Sequence, residues 1–329
     1  MAKNLVFIRS MRFLGGHIVT YPLLYQIKHS FPDEELHVVG TDPVATHYEG
    51  TPWVNRYIQA DTAVQKLKAL ENAKRVFVLH YSSEQYALLS WLRRVPTRIS
   101  FRNGRASDML WTHYWKKDPN EYLAQANLQL IRQLGQFNPE TVARQAMHAL
   151  AAHASAPQLA QSDVVFMPGG GAGAYKRWRI DAYAALAQAL KPHLGPESRF
   201  SFIMGPDETK EADYIASLGR SDFQLVQGRS MADIARLCLN ARLTVANDCG
   251  PSHIAQNCCG NYVGIFHEVE PSWFWQRKNS RQLTPSNGSS DIQSISVNTV
   301  AETCFQLLRS ETQVDELPNV KNYLADALV

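Results

Sequence analysis

Residues 245–256 of the chain read VANDCGPSHIAQ. The apolar run from Leu243 to Ala246 predicts a buried strand, and the residues from Ser252 onward predict the first turn of a helix. Pro251 suits that turn, because its missing N–H is not needed there. A helix that starts after a strand and a glycine presents free N–H groups to an anion, most often a phosphate. An ordinary, well-capped strand–helix turn explains the same residues equally well.

Length and composition indicate a two-domain globular protein. At 329 residues the chain is long for one core, so two domains of roughly 150 residues are expected. It is 45% hydrophobic and 19% charged, without the ~18 uninterrupted apolar residues of a membrane-spanning helix. The first residues enter a strand pattern directly, so we expect no leader and a cytoplasmic protein. Five cysteines without metal-ligand spacing favour free thiols.

The charge is unevenly distributed between the two halves. Residues 1–150 hold 18 Lys and Arg against 12 Asp and Glu, whereas residues 151–329 hold 15 against 18. The first half therefore carries a net +6, which favours an anionic partner there. Basic residues are not interleaved with aromatic ones as in nucleic-acid-binding proteins, so a nucleic-acid partner is not expected.

Strands alternate with helical segments throughout, which predicts parallel sheets and an α/β fold. In the first half we expect strands at Leu5–Ile8, Glu35–Gly40, Arg75–His80 and Thr97–Phe101, and then a largely helical stretch over 119–153 that Pro139 interrupts. In the second half we expect strands at Asp163–Met167, Arg199–Met204, Phe223–Val226, Leu243–Ala246 and Tyr262–Phe266, and a last helix over Val300–Leu308. The prediction is two doubly wound domains, 1–157 and 158–329, joined at 154–157. The last helix could return to the first domain. Ligands of such domains bind at the carboxyl ends of the strands.

The stretch Pro168–Ala174 is rich in glycine, including Gly171, and Lys176 follows it. Glycines let a backbone approach a phosphate closely, and a lysine can neutralise it, although a merely flexible loop is the alternative. The loop matches neither the Walker pattern nor the dinucleotide fingerprint. The chain contains no Asp-x-Asp, so we expect no metal on a diphosphate and no cofactor. Lys176 and helix N-termini would then hold the leaving diphosphate.

The chain resembles glycosyltransferase family 9, the lipopolysaccharide heptosyltransferases. The residues Asp248 to Ala255 are similar to that family's Asp-Thr-Gly-Pro-x-His-Ile-Ala signature. Further similarities follow in chain order: Ile8-Arg9 through Leu14-Gly15 to Pro22, Lys176-Arg177-Trp178, Gly205-Pro206-Asp207-Glu208, Gly228 through Met231 to Ala241, and Val263 to Phe266 followed by Pro271 and Trp275.

The resemblance implies a GT-B fold, in which two Rossmann-like domains face each other across a cleft. The first domain would bind the acceptor and the second the sugar nucleotide. The implied reaction is the inverting, metal-independent transfer of a heptose from ADP-heptose to an inner-core sugar of lipopolysaccharide. The partners would be the nucleotide sugar and an anionic, lipid-linked glycan, which a cytoplasmic enzyme could meet as a peripheral protein on the inner face of the inner membrane.

The resemblance also implies roles for individual residues of the second domain. Lys176, with the segment Cys249, Gly250, Pro251 and Ser252, would hold the diphosphate, and Asp248 would contact the sugar ring. Glu208 would bind the ribose, and Met231 would flank the adenine. We expect His253 to fix the loop from within rather than to touch the ligand, because a histidine in a helix often serves packing.

Two departures from the family's pattern concern the chemistry. The family has Gly-Asp, with the aspartate as the expected catalytic base, where this chain has Gly15-Gly16. The neighbouring His17 titrates in the right range for a base and is our candidate, and the acceptor's own anionic groups are the alternative. His17 could instead begin the helix and pack inward. The family more often has Phe-Gly-Pro-Thr where this chain has Phe266-His267-Glu268-Val269, which would alter the choice of sugar or base.

On the acceptor side, Arg9, Arg12, Arg102 and Arg105 are expected to face the cleft and bind carboxylates or phosphates. Solvated surface charges are the alternative. For the whole chain, the alternatives to a heptosyltransferase are a transferase that uses another nucleotide sugar, a relative that binds the donor without turnover, and a nicotinamide-dependent oxidoreductase. The last is disfavoured by the missing third glycine.

Overall fold

The computed structural model describes residues 2–11, 13–80, 83–154, 159–171, 173–286 and 289–315, with side chains as far as residue 309. The expected linker and the boundary between residues 157 and 158 fall largely outside these ranges, so that boundary stays a prediction. None of the helices within the described ranges combines the length and the apolar character needed to cross a bilayer.

The first half folds around one six-stranded sheet. Its strands are β1 (Lys3–Phe7), β2 (Glu35–Gly40), β3 (Arg56–Gln59), β4 (Ala73–Val78), β5 (Thr97–Phe101) and β6 (His113–Trp115). Its helices are α1 (Leu14–Ile18), α2 (Tyr21–Ser30), α3 (Thr46–Glu49), α4 (Ala63–Ala69), α5 (Glu84–Leu92), α6 (Leu123–Leu128) and α7 (Pro139–Ala151), with short 3-10 turns at Ala106–Leu110 and Gln129–Leu134.

The second half forms another six-stranded sheet. Its strands are β7 (Val164–Met167), β8 (Phe200–Met204), β9 (Phe223–Gln227), β10 (Leu243–Asn247), β11 (Tyr262–Ile265) and β12 (Ser280–Leu283). Its helices are α8 (Ile180–Leu194), α9 (Thr209–Ser217), α10 (Met231–Asn240), α11 (Ser252–Cys258) and α12 (Val297–Asp315), with 3-10 turns at Ala174–Lys176 and Ile292–Ser294.

Both sheets are parallel and have equivalent strand orders. The first runs β3-β2-β1-β4-β5-β6 and the second runs β12-β11-β10-β7-β8-β9. The order reverses between β1 and β4 in the first sheet and between β7 and β10 in the second. Ligands of doubly wound sheets bind at these switch points. The predicted α/β class with two doubly wound domains is therefore confirmed. The loop after β1, the glycine-rich loop after β7 and the Asp248 segment after β10 all lie at switch points.

Three strands are missing from the prediction: β3, β6 and β12. Pro139 does not interrupt a helix but begins α7, where Asn138 caps it by accepting a hydrogen bond from the N–H of Thr141 at 3.1 Å. We considered that the last helix could return to the first domain. Over its described residues, α12 packs on α8, β11 and β12 of the second domain. Its Val300 and Cys304 are fully buried in the core of the second domain.

The two domains are in direct contact at the side of the cleft. Helix α7 packs on α2 of its own domain and also on α10 and α11 of the other. The N–H of Leu123 donates to the carbonyl of Ser272 at 3.0 Å, and the Ser272 hydroxyl donates to the carbonyl of Pro119 at 2.7 Å. These contacts hold the two switch points opposite each other.

Candidate active site

A cavity of about 270 Å³ lies between the two domains, where the switch points meet. The first domain contributes the end of its first loop and the start of α1. The second contributes the glycine-rich loop, the start of α11 and the loop after β11. The lining residues are Phe13, Gly15, Gly16, Gly171, Lys176, Asp248, Cys249, Gly250, His253, Glu270 and Trp273.

Asn247, at the end of β10, connects the segments of the second domain that line this cavity through hydrogen bonds. Its side chain is fully buried. The amide nitrogen donates to the carbonyl of Pro168 at 2.7 Å, and the amide oxygen accepts from the N–H of Trp178 at 3.2 Å and from the hydroxyl of Tyr183 at 2.9 Å. Asn247 thereby fixes the segments on either side of Lys176 against the strand that carries Asp248. No local sequence motif indicated this residue.

Lys176 is the cation of the cavity, and two carboxylates share it. Its ammonium group donates to Asp248 and, at 3.0 Å, to Oε1 of Glu270. Burial alone would lower the pKa of Lys176, but the hydrogen bonds and charges of Asp248 and Glu270 raise it above its ordinary value. The lysine is therefore charged at neutral pH. Glu270, which is only 18% exposed, is a site residue that sequence reasoning missed.

His253 is fully neutral at pH 7 because burial lowers its pKa to about 4. The hydrogen bonds of Gln256 decide which ring nitrogen carries the proton. The amide oxygen of Gln256 accepts from the N–H of Trp275 at 2.7 Å, so its amide nitrogen is the group that lies 3.2 Å from Nδ1 of His253. Nδ1 therefore accepts, and Nε2 carries the hydrogen. His253 is 2% exposed but lines the cavity. Its Nδ1 fixes the loop, and its Nε2–H is available to a ligand in the cavity.

At two glycines the domains approach too closely for a side chain to fit. A Cβ on Gly15 would come within 2.6 Å of Cδ2 and 2.9 Å of Nε2 of His253. A Cβ on Gly250 would come within 2.9 Å of the Cβ of Leu14. Real Cβ contacts are not this short, so side chains at either position would push the domains apart.

The start of α11 offers fewer N–H groups to an anion than the sequence suggested. The N–H of Ser252 donates to the carbonyl of Cys249 at 3.2 Å, and the hydroxyl of Ser252 donates to the same carbonyl at 2.7 Å. The N–H groups of Cys249 and Gly250 have no partner within the described ranges. Pro251 has none to give, so these two N–H groups are the ones available to a phosphate.

Similar proteins agree with this architecture. The sequence profile of "Glycosyltransferase family 9 (heptosyltransferase)" matches residues 64–293. This chain belongs to glycosyltransferase family 9. Three solved structures share its fold. E. coli ADP-heptose lipopolysaccharide heptosyltransferase II has a TM-score of 0.64 at 18% identity, covering 94% of this chain and 99% of the other. E. coli heptosyltransferase WaaC, solved with ADP-2-deoxy-2-fluoro heptose, has 0.68 at 16% identity, covering 92% and 99%. A family 9 protein from Veillonella parvula has 0.65 at 16% identity, covering 94% and 97%.

These matches confirm the GT-B fold and the resemblance to family 9. No protein of curated function matches the sequence significantly.

Two further donor candidates, Glu208 and Met231, are not among the residues that line the cavity. Glu208 is 7% exposed; its Oε2 accepts from the N–H of Gly205 at 2.8 Å, and its Oε1 lies 3.2 Å from Arg177. The carboxylate is thus held at the carboxyl edge of the sheet. Met231 begins α10, directly after the Ser230 cap whose hydroxyl accepts from the N–H of Asp233 at 3.2 Å.

His17 does not fit the role of catalytic base in this family 9 fold. Its side chain is buried, at 1% exposure. Nε2 lies 3.0 Å from the carbonyl of Met11 and must therefore carry the hydrogen, so Nδ1 accepts from the hydroxyl of Tyr48 at 2.8 Å. Its only lone pair is occupied, and burial lowers its pKa. These contacts do not support the prediction of His17 as base, because its ring points into the first domain and both of its nitrogens are engaged there.

The space beside Gly16 is filled by Met11. A Cβ on Gly16 would lie 2.6 Å from the terminal methyl group of Met11 and 3.0 Å from its Cβ. Gly16 also lines a second, small cavity of about 20 Å³, enough for one hydroxyl group or water. Arg9 and Lys117 line this second cavity too.

Lys117 is a titratable residue of that cavity that no local sequence motif indicated. Burial first, and the charge of Arg9 second, lower its pKa to about 8, against a smaller opposing effect of Glu121. Its ammonium nitrogen lies 5.2 Å from the centre of the Phe101 ring. A substantial fraction of Lys117 is therefore neutral near pH 8, with a lone pair that can accept a proton.

The other predicted acceptor arginines have separate positions. Arg102 is 59% exposed and lies 3.9 Å from Asp108. Arg105 is 67% exposed and pairs with Glu84. Both salt bridges are within the first domain, on elements that do not line either cavity. Arg12 lies outside the described residues.

One group of possible metal ligands adjoins the cavity. Three potential ligand atoms lie within 4.8 Å of one another, one each from His267, Glu268 and Glu270. Nε2 of His267 is 3.0 Å from Glu268, and Glu270 is engaged by Lys176. His267 and Glu268 are the residues that depart from the family's pattern. Nδ1 of His267 lies 3.9 Å from Glu270, which in turn contacts Lys176.

Proposed function

We propose that this chain is an inverting, metal-independent glycosyltransferase that moves a heptose from ADP-heptose to an inner-core sugar of lipopolysaccharide. The observation that carries the proposal is the placement of Lys176 and Asp248 in a cavity between two switch points, with the family's His253 beside them. The proposal is supported by the family and by two similar E. coli proteins, the ADP-heptose lipopolysaccharide heptosyltransferase II and the WaaC enzyme solved with a fluorinated analogue of ADP-heptose.

In this proposal the second domain binds the donor. Lys176 and the N–H groups of Cys249 and Gly250 hold the diphosphate, with Gly171 leaving room for it. Asp248, bound to Lys176, accepts hydrogen bonds from the sugar hydroxyls. Farther along the same edge of the sheet, Glu208 receives the ribose and Met231 flanks the adenine. Cations and N–H dipoles aimed at the leaving diphosphate stabilise the charge that develops there.

The transfer itself exchanges one bond for another. The oxygen of the acceptor hydroxyl forms a bond to the anomeric carbon as the bond from that carbon to the diphosphate breaks. The electron pair of the broken bond leaves on ADP, next to Lys176. Attack from the face opposite the diphosphate inverts the configuration. The hydroxyl proton must go to a base on the side of the first domain.

We assign the proton to Nζ of Lys117. Asp248 and Glu270 are carboxylates of the main cavity, but both are bound to Lys176, on the side of the leaving group. Lys117 lies on the other side, in the small cavity that shares Gly16 with the main one. Arg9 lines the same cavity, and its charge favours the neutral form of Lys117.

The test is a turnover assay with ADP-heptose and two acceptors, lipopolysaccharide truncated before the first heptose and lipopolysaccharide truncated directly after it, followed by ADP release and by mass spectrometry of the glycan. We expect a mass increase of one heptose, and NMR should show the inverted anomeric configuration. ADP binding without turnover would instead identify a donor-binding relative. Turnover with UDP-sugars alone would identify a transferase for another donor. Tighter binding of NAD than of ADP would favour an oxidoreductase. We also propose that the enzyme is located in the cytoplasm, as a peripheral protein on the inner face of the inner membrane.

A further inference from the structure

Helix α5 presents apolar side chains on both of its faces. Its inward residues Tyr86, Ala87 and Leu89 are buried in the core of the first domain. Its outward residues are also apolar: Leu88 is 48% exposed, Trp91 50% and Leu92 54%. A helix on the surface of a globular protein normally turns polar residues outward. This outward face is therefore unusual.

The three exposed side chains form one continuous surface. Leu88, Trp91 and Leu92 stand at positions i, i+3 and i+4, which are neighbours on a helix. The 3-10 turn Ala106–Leu110 packs against α5, and it carries Met109, which is 85% exposed. Single exposed apolar residues are common, but a contiguous group marks an interaction site. We call Leu88, Trp91, Leu92 and Met109 the α5 patch.

Basic residues adjoin the α5 patch. Arg93 and Arg94 follow Leu92 directly and are exposed. Neither has an acidic partner within the described ranges. Glu84 at the start of α5 is paired with Arg105, so its charge does not offset theirs. The patch is therefore apolar at its centre and positive at one end.

This combination fits the surface of an anionic lipid bilayer. Tryptophan is enriched at the boundary between headgroups and acyl chains, because its ring is apolar and its N–H is polar. Arginines at the edge of an inserted apolar surface reach anionic headgroups while their stems cover apolar area. A second copy of the chain fits less well. In a twofold-symmetric dimer the same patch meets itself, which would bring Arg93 and Arg94 of one copy near those of the other.

We infer that the α5 patch, with Arg93 and Arg94, docks this protein onto anionic membranes. The patch lies outside both cavities, and the inference does not depend on the proposed transfer reaction. It would place the first domain, where the proposed acceptor binds, against the bilayer that holds lipid-linked glycans.

The experiment is cosedimentation of the full chain with vesicles, either phosphatidylglycerol mixed with phosphatidylethanolamine or phosphatidylcholine alone. We expect binding to the anionic vesicles, at least tenfold weaker binding to phosphatidylcholine, and a decline with added salt. Leu92→Glu and the double change Arg93→Glu with Arg94→Glu should each reduce the partition coefficient at least tenfold. Leu218→Glu is the matched control, because Leu218 is an exposed leucine of the second domain, at 37% exposure, and should leave binding unchanged.

A second readout locates the contact. Brominated acyl chains should quench part of the tryptophan fluorescence in the parent protein, and Trp91→Phe should remove that part. Circular dichroism and thermal melting establish that each variant is folded. No binding to anionic vesicles at low salt would overturn the inference, as would binding that Leu92→Glu and the arginine reversals leave intact. A dimer in sedimentation velocity that Leu92→Glu dissociates, without vesicle binding, would assign the patch to a second copy instead.

Discussion

Gly15 of the first domain lies against the imidazole of His253 of the second, and the two define how closely the domains can approach. A Cβ at Gly15 would sit 2.6 Å from Cδ2 of that ring. The ring cannot move aside easily, because it is buried and its Nδ1 is held by Gln256 at 3.2 Å. The absence of a side chain at residue 15 is thus a condition for the observed approach of the two domains.

Gly15→Ala should accordingly open the cleft. We expect turnover to fall by about 10²-fold, since small displacements of reacting groups are costly, and stability to fall by about 1–3 kcal/mol from overpacking. Gly260→Ala is the matched control, because a Cβ there would meet nothing within 4 Å. Steady-state kinetics and urea unfolding measure the two effects. Parent-like kinetics in Gly15→Ala would show that the domains do not need this contact.

Lys176→Ala should weaken both donor binding and turnover. The loss of a charge-assisted contact to the diphosphate is worth about 1.5–3 kcal/mol. Calorimetric titration with ADP measures the binding loss directly. Unchanged ADP affinity together with an unchanged rate would remove Lys176 from the site.

Glu270→Gln should have the opposite effect on ADP. In the free protein Lys176 is shared with Glu270 at 3.0 Å and with Asp248, so a diphosphate must approach a cluster that is negative overall. Removing one carboxylate charge should tighten ADP binding several-fold, roughly 1 kcal/mol or less for a partly solvated pair. Glu268→Gln is the control, because that side chain is 65% exposed and does not touch Lys176. Weaker ADP binding in Glu270→Gln would mean that Glu270 holds the lysine in place for the ligand.

Sequence patterns predicted the strands that are apolar along their length. They missed polar segments that form strands only by pairing with a neighbouring strand. β10, with the residues LTVAN, is buried throughout, whereas β12 reads SRQL and β3 reads RYIQ. Such polar segments become strands only because a partner strand supplies their hydrogen bonds, which is a tertiary property. The same limit applies to the site. Lys176 and Asp248 could be predicted from local motifs. The hydrogen bond between Lys176 and Glu270 joins residues 94 positions apart, and the one between His17 and Tyr48 joins residues 31 positions apart, so neither contact could be predicted locally.

EDTA should leave the transfer rate unchanged. The charge on the leaving diphosphate is assigned to Lys176 and to backbone N–H groups, which act without a metal. The nearby His267, Glu268 and Glu270 make this a demanding test, because their ligand atoms lie within 4.8 Å of one another. His267→Ala should therefore behave like the parent in the presence and absence of Mg²⁺ or Mn²⁺. A strict metal requirement that His267→Ala abolishes would reassign the cation's role to this group.

Lys117 can accept a proton only when it is neutral, which fixes the sign of the pH dependence. Burial lowers its pKa to about 8, so kcat/KM should rise as the pH increases through about 8 and level off above it. Lys117→Arg keeps a positive charge but cannot supply a base at these pH values. It should lose about 10²–10⁴-fold in turnover, with ADP affinity unchanged.

His17→Gln is the comparison for the neighbouring base candidate. It should retain most activity if the protein remains folded, because both ring nitrogens of His17 are hydrogen-bonded, to Tyr48 and Met11. Small primary amines should partly restore Lys117→Ala, and the rescue should follow the amine's pKa. An active Lys117→Arg would show that only the charge of Lys117 is needed, and that another group takes the proton.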